Sequence, residues 1–289
     1  MPIIGAYILP HGALSLTPFK YPELKELVLI HKSCCDISDE IKYSNPDLIV
    51  LTTPHGISLN TSFGVYLNSV AEGSAEWQGE WSEYKVKVEI DINHSKDFLN
   101  RIKIANIPSE GIVGYSDDMP IPIRWGEVIP IWFISQPYYN YSIKPIALPK
   151  FVFLSLPRIR LTEPELLVND CLKLGKEIFE YFNLLDKKVI VITSADLAHT
   201  HDKSRLNTVE DEADLFDKSI ELWATNPNEN ENVLLECSKI VTKYKSCGYL
   251  GIVILQGVLR QLKDIKEIKS EVLCNEHPTY FGMMVAKFN

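Results

Sequence analysis

The sequence has no excess of basic residues and no long apolar run, and each absence excludes a class of partner. Aspartate and glutamate total 38 against 29 lysines and arginines, so the net charge is −9. This balance argues against nucleic acid or an anionic membrane surface as a partner. The longest apolar runs have strand length, and none approaches the roughly 20 residues that a membrane span requires. The first five residues contain no lysine or arginine, so no signal peptide is expected.

Cysteine is also scarce, and its spacing excludes two further classes of protein. The six cysteines match neither a zinc ribbon nor a small disulfide scaffold. A reducing cytoplasm is therefore the expected location. Hydrophobic residues make up 46% of the chain and charged residues 23%, which is the composition of an ordinary globular protein.

Two short motifs stand out because each follows an apolar run of strand length. Ile3–Leu9 is followed by Pro-His-Gly, and so is Leu48–Thr53. Proline cannot donate to a sheet ladder, so each histidine is expected just past the carboxyl end of a strand. Ligands bind at that edge of open α/β sheets. Imidazole is the commonest metal ligand, so His11 and His55 are predicted to bind one metal ion together.

A third apolar run, Val189–Thr193, leads into Ser-Ala-Asp-Leu-Ala-His and predicts a proton-transfer group. His199 is expected to face the same pocket as the two Pro-His-Gly histidines, with Asp196 near enough to orient it. An imidazole that titrates near neutrality can remove and return a proton. The alternative is that Asp196 caps a helix and His199 lies in its first turn. His201 is expected to be exposed.

The two predicted imidazole ligands need a third partner, and the sequence leaves its identity open. A carboxylate would complete the two-histidine, one-carboxylate face that leaves positions open on iron. Glu276, in a turn between two C-terminal strands, is the preferred candidate, although a solvated turn carboxylate would look the same. His277 and Cys247 are the reserves, whereas Glu127 and Asp196 are weaker candidates.

Apolar strand patterns alternate with amphipathic helical patterns along the chain, which predicts an α/β fold. The expected architecture is a single domain, residues 1–289, with a mixed, mostly parallel sheet flanked by helices on both faces. Tyr84–Ile92 alternates as a half-exposed strand, and Val128–Ile134 is predicted to be a core strand. Ala71–Gly79 is predicted to be an exposed loop, and the tyrosine-rich Pro137–Pro149 a surface loop or lid.

Five motifs resemble those of the class III extradiol ring-cleavage dioxygenase superfamily, which includes the Memo proteins. They occur in the expected order over nearly the whole chain: Pro10-His11-Gly12, Thr53-Pro54-His55-Gly56, Arg124-Trp125-Gly126-Glu127, Ser194-Ala195-Asp196-Leu197-Ala198-His199 and Glu276-His277-Pro278-Thr279-Tyr280-Phe281-Gly282.

The resemblance implies a single non-haem Fe(II) as cofactor, with zinc able to substitute in a purified sample. His11 and His55 would bind the iron together with a carboxylate, for which Glu276 is the candidate. The implied substrate is a catecholic or aminophenolic ring that is cleaved with O₂, with His199 as the acid/base. The expected protein is therefore a cytoplasmic, homo-oligomeric extradiol dioxygenase with no nucleic-acid or membrane partner.

Two departures from the superfamily pattern keep alternatives open. Where the dioxygenases place their carboxylate ligand on a late helix, this chain has Ser246-Cys247-Gly248, and Memo proteins carry a cysteine in that neighbourhood. A second active-site histidine of the dioxygenases is replaced near Trp125. The alternatives are a Memo-like metal- or ligand-binding protein without ring cleavage, and a metal-dependent hydrolase that uses the same pocket.

Overall fold

The computed structural model describes residues 2–116, 118–140, 147–201, 210–265 and 267–289, and eleven strands occur among them. They are β1 (Ile3–Leu9), β2 (Leu48–Thr53), β3 (Phe63–Tyr66), β4 (Val70–Ser74), β5 (Lys85–Glu89), β6 (Ser109–Ile112), β7 (Ile121–Ile123), β8 (Lys150–Ser155), β9 (Val189–Ser194), β10 (Ser270–Glu276) and β11 (Met283–Phe288). Eight of them form the main sheet in the order β10-β11-β1-β9-β2-β8-β3-β6.

The α-helices of the described residues lie between these strands. They are α1 (Lys25–Ser44), α2 (Ile92–Ile104), α3 (Trp125–Asn140), α4 (Val168–Phe182), α5 (Glu210–Thr225), α6 (Glu231–Glu236), α7 (Val241–Tyr244) and α8 (Tyr249–Leu262). None of these helices is long and apolar enough to cross a membrane.

The centre of the main sheet is parallel. β1 pairs with β9, β9 with β2, and β2 with β8, all in the parallel sense, whereas β11 and β10 add an antiparallel edge. Every residue of β2 and of β9 is buried, as expected for parallel strands that are covered on both faces. The predicted α/β fold with a mixed, mostly parallel sheet is therefore confirmed.

Helices cover both faces of this sheet, and the pleat of the strands divides the core between them. Val189 and Val191 of β9 point into a cluster with α4 and α8, whereas Ile190 and Ile192 point into a cluster with α1 and α3. Alternate side chains of a strand face opposite sides, so a short apolar run supplies both cores.

A second, three-stranded sheet has the order β5-β4-β7. β5 alternates between exposed and buried residues and is an antiparallel edge strand of this sheet, as its sequence predicts. The segment predicted as an exposed loop, Ala71–Gly79, instead begins inside β4. The small residues of this segment suggest a loop, but Gly73 is required by the close approach of β7. A Cβ on Gly73 would meet the backbone oxygen of Ile123 at 1.9 Å.

The prediction of a core strand at Val128–Ile134 is wrong, because this segment lies within α3. The helix is buried almost all round, so its sequence has no amphipathic period and reads as an apolar run. Pro130 and Pro137 lie inside the helix, although proline is unfavourable in a helix interior. Of the predicted lid Pro137–Pro149, the first residues belong to α3, and residues 141–146 lie outside the described residues.

Candidate functional site

The three predicted histidines lie at one edge of the main sheet because their strands are parallel neighbours. β1, β9 and β2 are adjacent in that order, and the register places Leu9 beside Ser194. His11, His55 and His199 therefore follow three neighbouring carboxyl ends and line one cavity. The imidazole rings of His11 and His55 are 4.7 Å apart, centre to centre, and nearly perpendicular.

A cysteine completes the group that the two Pro-His-Gly histidines begin. One ligand atom each from His11, His55 and Cys247 lies within 4.8 Å of the others, and Nε2 of His11 is 3.2 Å from Sγ of Cys247. Cys247 stands just before α8, where Gly248 packs against the end of β9. A Cβ on Gly248 would meet the Cβ of Ala195 at 2.4 Å, so this approach requires glycine.

Hydrogen bonds fix the tautomer of His11. Ser194 Oγ donates its proton to the carbonyl oxygen of Gly126, so towards Nδ1 of His11, 2.8 Å away, it can only accept. Nδ1 therefore carries the proton, and Nε2 presents its lone pair towards Cys247. Burial, followed by the neighbouring His55, lowers the pKa of His11 well below its ordinary value of 6.5. His11 is thus neutral, as a metal ligand must be.

His55 and His199 are also neutral at physiological pH. Burial lowers the pKa of His55 to about 3 and that of His199 to about 4. Nδ1 of His199 donates to the carbonyl oxygen of Leu197 at 3.0 Å, so its Nε2 is unprotonated and lies 4.0 Å from Sγ of Cys247. His199 can therefore accept a proton from a group held beside Cys247.

Asp196 lines the cavity, and its contacts are to His11. The sequence predicted instead that Asp196 would orient His199. Its Oδ1 accepts a hydrogen bond from the backbone N–H of His11 at 3.0 Å, and its Oδ2 is 3.3 Å from Nε2 of the same residue. Burial raises the pKa of Asp196 to about 7. The register explains the difference, because Asp196 and His11 follow the paired residues Ser194 and Leu9.

The structure does not bring Glu276 to the two histidines, although the sequence preferred it as the third ligand. Glu276 ends β10, opposite Met283, and among the described residues the groups able to hold a metal do not include it. Its pKa is raised by burial and by the nearby Glu26. His277, a reserve candidate, joins a different group with His201 and Asp214. His201 is buried, so the prediction that it is exposed is wrong.

Glu127, a weaker candidate ligand, has a structural role instead. It is fully buried and accepts hydrogen bonds from the hydroxyl of Tyr66 and from the backbone N–H of Arg124. The second contact satisfies a free N–H at the start of α3. Burial raises the pKa of Glu127 to about 7.

Six aromatic side chains line the cavity beside the group of His11, His55 and Cys247. The cavity has a volume of about 630 Å³, which suits a small organic ligand. The turn between β4 and β5 supplies two of its tryptophans, and none of the described residues of the predicted lid lines it. The aromatic residues are Tyr21, Trp77, Trp81, Trp125, Tyr280 and Phe281.

Arg160 belongs to this neighbourhood and was missed from the sequence. It follows β8, the next parallel strand beyond β2, and its guanidinium donates to the carbonyl oxygen of Pro54. Its positive charge contributes to the lowered pKa of His55, after burial. The signal was available, because Arg160 lies just past the carboxyl end of a parallel strand, as the three histidines do.

Comparison with known proteins gives a matching family, a related protein and a similar solved structure. The family model described as the catalytic LigB subunit of aromatic ring-opening dioxygenase matches residues 5–286. Protein CA_C1420 of Clostridium acetobutylicum is 22% identical over an alignment of 295 positions, which covers 99% of this chain and 58% of that protein. The crystal structure of uncharacterized protein JW3007 from Escherichia coli K12 has a TM-score of 0.57 at 12% identity and 98% coverage of both chains.

Proposed function

We propose that this chain, which belongs to the family of the catalytic LigB subunit of aromatic ring-opening dioxygenase, binds one transition-metal ion through His11, His55 and Cys247. The observation that carries the proposal is the convergence of one ligand atom from each of these residues within 4.8 Å, at the wall of an aromatic cavity. The function that this site supports best is a Memo-like metal-binding protein without ring-cleavage activity.

The residues fit a metal by the chemistry of their donors. His11 is neutral and directs the lone pair of Nε2 at Sγ of Cys247. Burial raises the pKa of Cys247 well above 9.0, so an isolated thiolate is unfavourable there. A metal cation would supply the charge that stabilises the thiolate, because a coordinating thiol is deprotonated outright. Neutral imidazoles with one thiolate suit copper, zinc or iron.

The identity of the third donor favours binding over ring cleavage. Oxygen-activating iron sites of the two-histidine type carry a carboxylate, whereas a thiolate selects softer metals. Thiolates are also oxidised readily, so repeated turnover with O₂ at this site would damage Cys247. Among the described residues, Glu276 does not share a metal-ligating group with His11 and His55.

The second candidate function is Fe(II)-dependent extradiol cleavage of a catechol or aminophenol, and His199 favours it. Bound iron would supply a site at which the substrate oxygens and O₂ meet. In this chain, His199 would accept the hydroxyl proton of the substrate at Nε2, because its Nδ1–H is already donated to Leu197. The aromatic walls would hold a planar ring and exclude water. Asp196 would act on His11 as a positioning residue.

Metal content decides whether the first site exists as proposed. Protein purified without chelator should hold metal at this site, Cys247→Ser should lose the metal of this site, and Glu276→Gln should keep it. The two variants are matched, because each replaces one rival candidate for the third ligand by a residue of similar size. Loss of metal in Glu276→Gln with retention in Cys247→Ser would contradict the proposal and restore the carboxylate site.

Activity then separates the two candidate functions. After anaerobic reconstitution with Fe(II), the wild-type protein should consume no O₂ with a broad panel of catechols. The Cys247→Asp variant, which offers a carboxylate at the same position, is the matched comparison. A yellow ring-cleavage product and O₂ uptake by the wild-type protein would establish the extradiol dioxygenase instead. Hydrolysis of ester substrates by the same samples tests the remaining alternative, a metal-dependent hydrolase.

The remaining expectations stay proposals of the same kind. They are one catalytic domain over residues 1–289, a homo-oligomeric state, a cytoplasmic location and a small aromatic ligand. The chain spans 58% of the length of its Clostridium relative, so activities of the longer protein are not transferred to it.

A further inference from the structure

A second group of potential metal ligands lies beside the cavity. His201 lies on the segment that follows β9, Asp214 lies on α5, and His277 lies in the turn between β10 and β11. One ligand atom from each lies within 4.8 Å of the others. Nδ1 of His201 is 3.3 Å from Oδ1 of Asp214, and Nε2 of His277 is 3.2 Å from the same oxygen.

The hydrogen bond of His201 to Asp217 leaves Nδ1 directed at Asp214. Oδ2 of Asp217 accepts a hydrogen bond from Nε2 of His201 at 2.8 Å. Nδ1 of His201 therefore faces Oδ1 of Asp214, and a proton or a cation must lie between these two atoms. Nδ1 of His201 and Oδ1 of Asp214 are both buried, and neither makes a hydrogen bond to another described residue. The His201 side chain is 1% exposed, so bulk solvent does not reach it.

We propose that His201, Asp214 and His277 bind a second divalent metal ion of the zinc type. Zinc bonds to nitrogen and oxygen of roughly 2.0–2.2 Å in a tetrahedral site place neighbouring ligand atoms about 3.3 Å apart. The two distances to Oδ1 of Asp214 match that spacing. A dication also balances the two carboxylates, Asp214 and Asp217, that face the imidazoles.

Asp217 has the position of an outer partner of this site. A metal-ligating histidine usually donates its other ring N–H to a carboxylate, which fixes its tautomer. Asp217 does this for His201 and also accepts the backbone N–H of Ala198 at 2.9 Å. The imidazoles of His201 and His277 are stacked 4.0 Å apart and nearly parallel. The metal-bound form therefore requires a tilt of His277, which its 43% exposed side chain permits.

The second metal would fix one wall of the cavity. The segments Leu197–His201 and Tyr280–Gly282 are already joined by backbone hydrogen bonds, Leu197 to Gly282, Gly282 to Ala198 and His201 to Tyr280. His199, Tyr280 and Phe281 on these segments line the cavity. An ion held by His201, Asp214 and His277 would tie both segments to α5. It would thereby hold His199 in place without touching a ligand in the cavity.

Stoichiometry of metal binding tests this site independently of the proposed function. Chelator-stripped full-length protein is titrated with Zn²⁺ by calorimetry and with Co²⁺ by absorption. The wild-type protein should bind two equivalents. Thiolate-to-cobalt charge transfer marks the site with Cys247, whereas the second site contains no sulfur and gives no such band.

The variants His277→Ala and Asp214→Asn should each weaken the second site by at least about 100-fold and leave the thiolate band intact. Both side chains are partly exposed, so neither change empties a core position. Glu276→Gln is the matched control beside His277 and should keep both equivalents. Binding by both variants that equals the wild type in stoichiometry and affinity would overturn the second site. If the protein binds one equivalent that gives no thiolate band, and His277→Ala removes that equivalent, the second site is supported even if Cys247 binds no metal.

Discussion

The two histidine groups at this edge of the protein differ in how the chain assembles them. In the first, His11 and His55 follow adjacent strand ends, and Cys247 precedes a helix that packs on the same sheet. In the second, the ligands come from a loop, the exposed side of a helix and a hairpin turn. In the first group His11 and Cys247 are buried and His55 is half-buried, whereas the second is partly open at Asp214 and His277. The regular geometry of the sheet allows His11 and His55 to be predicted from the sequence, whereas it does not predict the residues of the second group.

The largest expected effect is the removal of one group with retention of the other. A His11→Ala/His55→Ala double variant should lose two of three donors of the first group, and its metal affinity there should fall by more than about 100-fold. Metal analysis and the cobalt spectrum should show one remaining equivalent without a thiolate band. Equal metal content in the double variant and the wild type would show that the first group is not a metal site.

Burial also distinguishes the two regions. Glu127, the chain neighbour of Gly126 in the first region, is fully buried, and its protonation should change the free energy of unfolding. Its pKa is raised by burial from 4.5 to about 7, so the folded protein binds this proton more tightly than the unfolded chain does. The resulting stabilisation is complete below pH 4.5 and is lost as the pH rises towards 7, an effect of about 3 kcal/mol.

Glu127→Gln should remove this contribution to the pH dependence of the free energy of unfolding, because glutamine stays neutral, whereas Asp196, whose pKa is also raised to about 7, keeps its own contribution. Urea denaturation between pH 4 and pH 8 measures it. Glu110→Gln, at an exposed position, is the control and should follow the wild-type profile. A Glu127→Gln profile with the same slope as the wild type would show that Glu127 is not the group responsible.

The smallest expected effect concerns the outer partners of the two groups. Ser194→Ala removes the acceptor for Nδ1 of His11, so affinity at the first group should fall by about 10–100-fold, whereas the second group should be unaffected. Asp217→Asn is the reciprocal variant, since one amide oxygen cannot accept from both His201 and Ala198. Calorimetric titration of both variants checks the pair. If either variant weakens both groups equally, the two groups are coupled and cannot be compared as separate sites.

The incorrect predictions from the sequence show the same difference between residues at strand ends and residues elsewhere in the fold. Cys247 was a reserve candidate because iron that activates oxygen favours a carboxylate ligand, and a residue just before a helix has no register with the ends of β1 and β2 that could have corrected this choice. α3 was interpreted as a strand because a helix buried all round has no amphipathic period. Asp196 was correctly expected in the pocket, but which of two nearby histidines it contacts depends on the pairing of β1 with β9.

The sequence by itself determined the α/β class, the buried parallel strands and the convergence of His11, His55 and His199. Apolar runs ended by proline define strand ends, and parallel neighbours bring those ends to one edge. Only the tertiary structure decided that Cys247 joins them in place of Glu276, that Asp196 holds His11, and that His201, Asp214 and His277 meet. Those choices depend on how helices and turns pack against the sheet edge, which local sequence patterns do not encode.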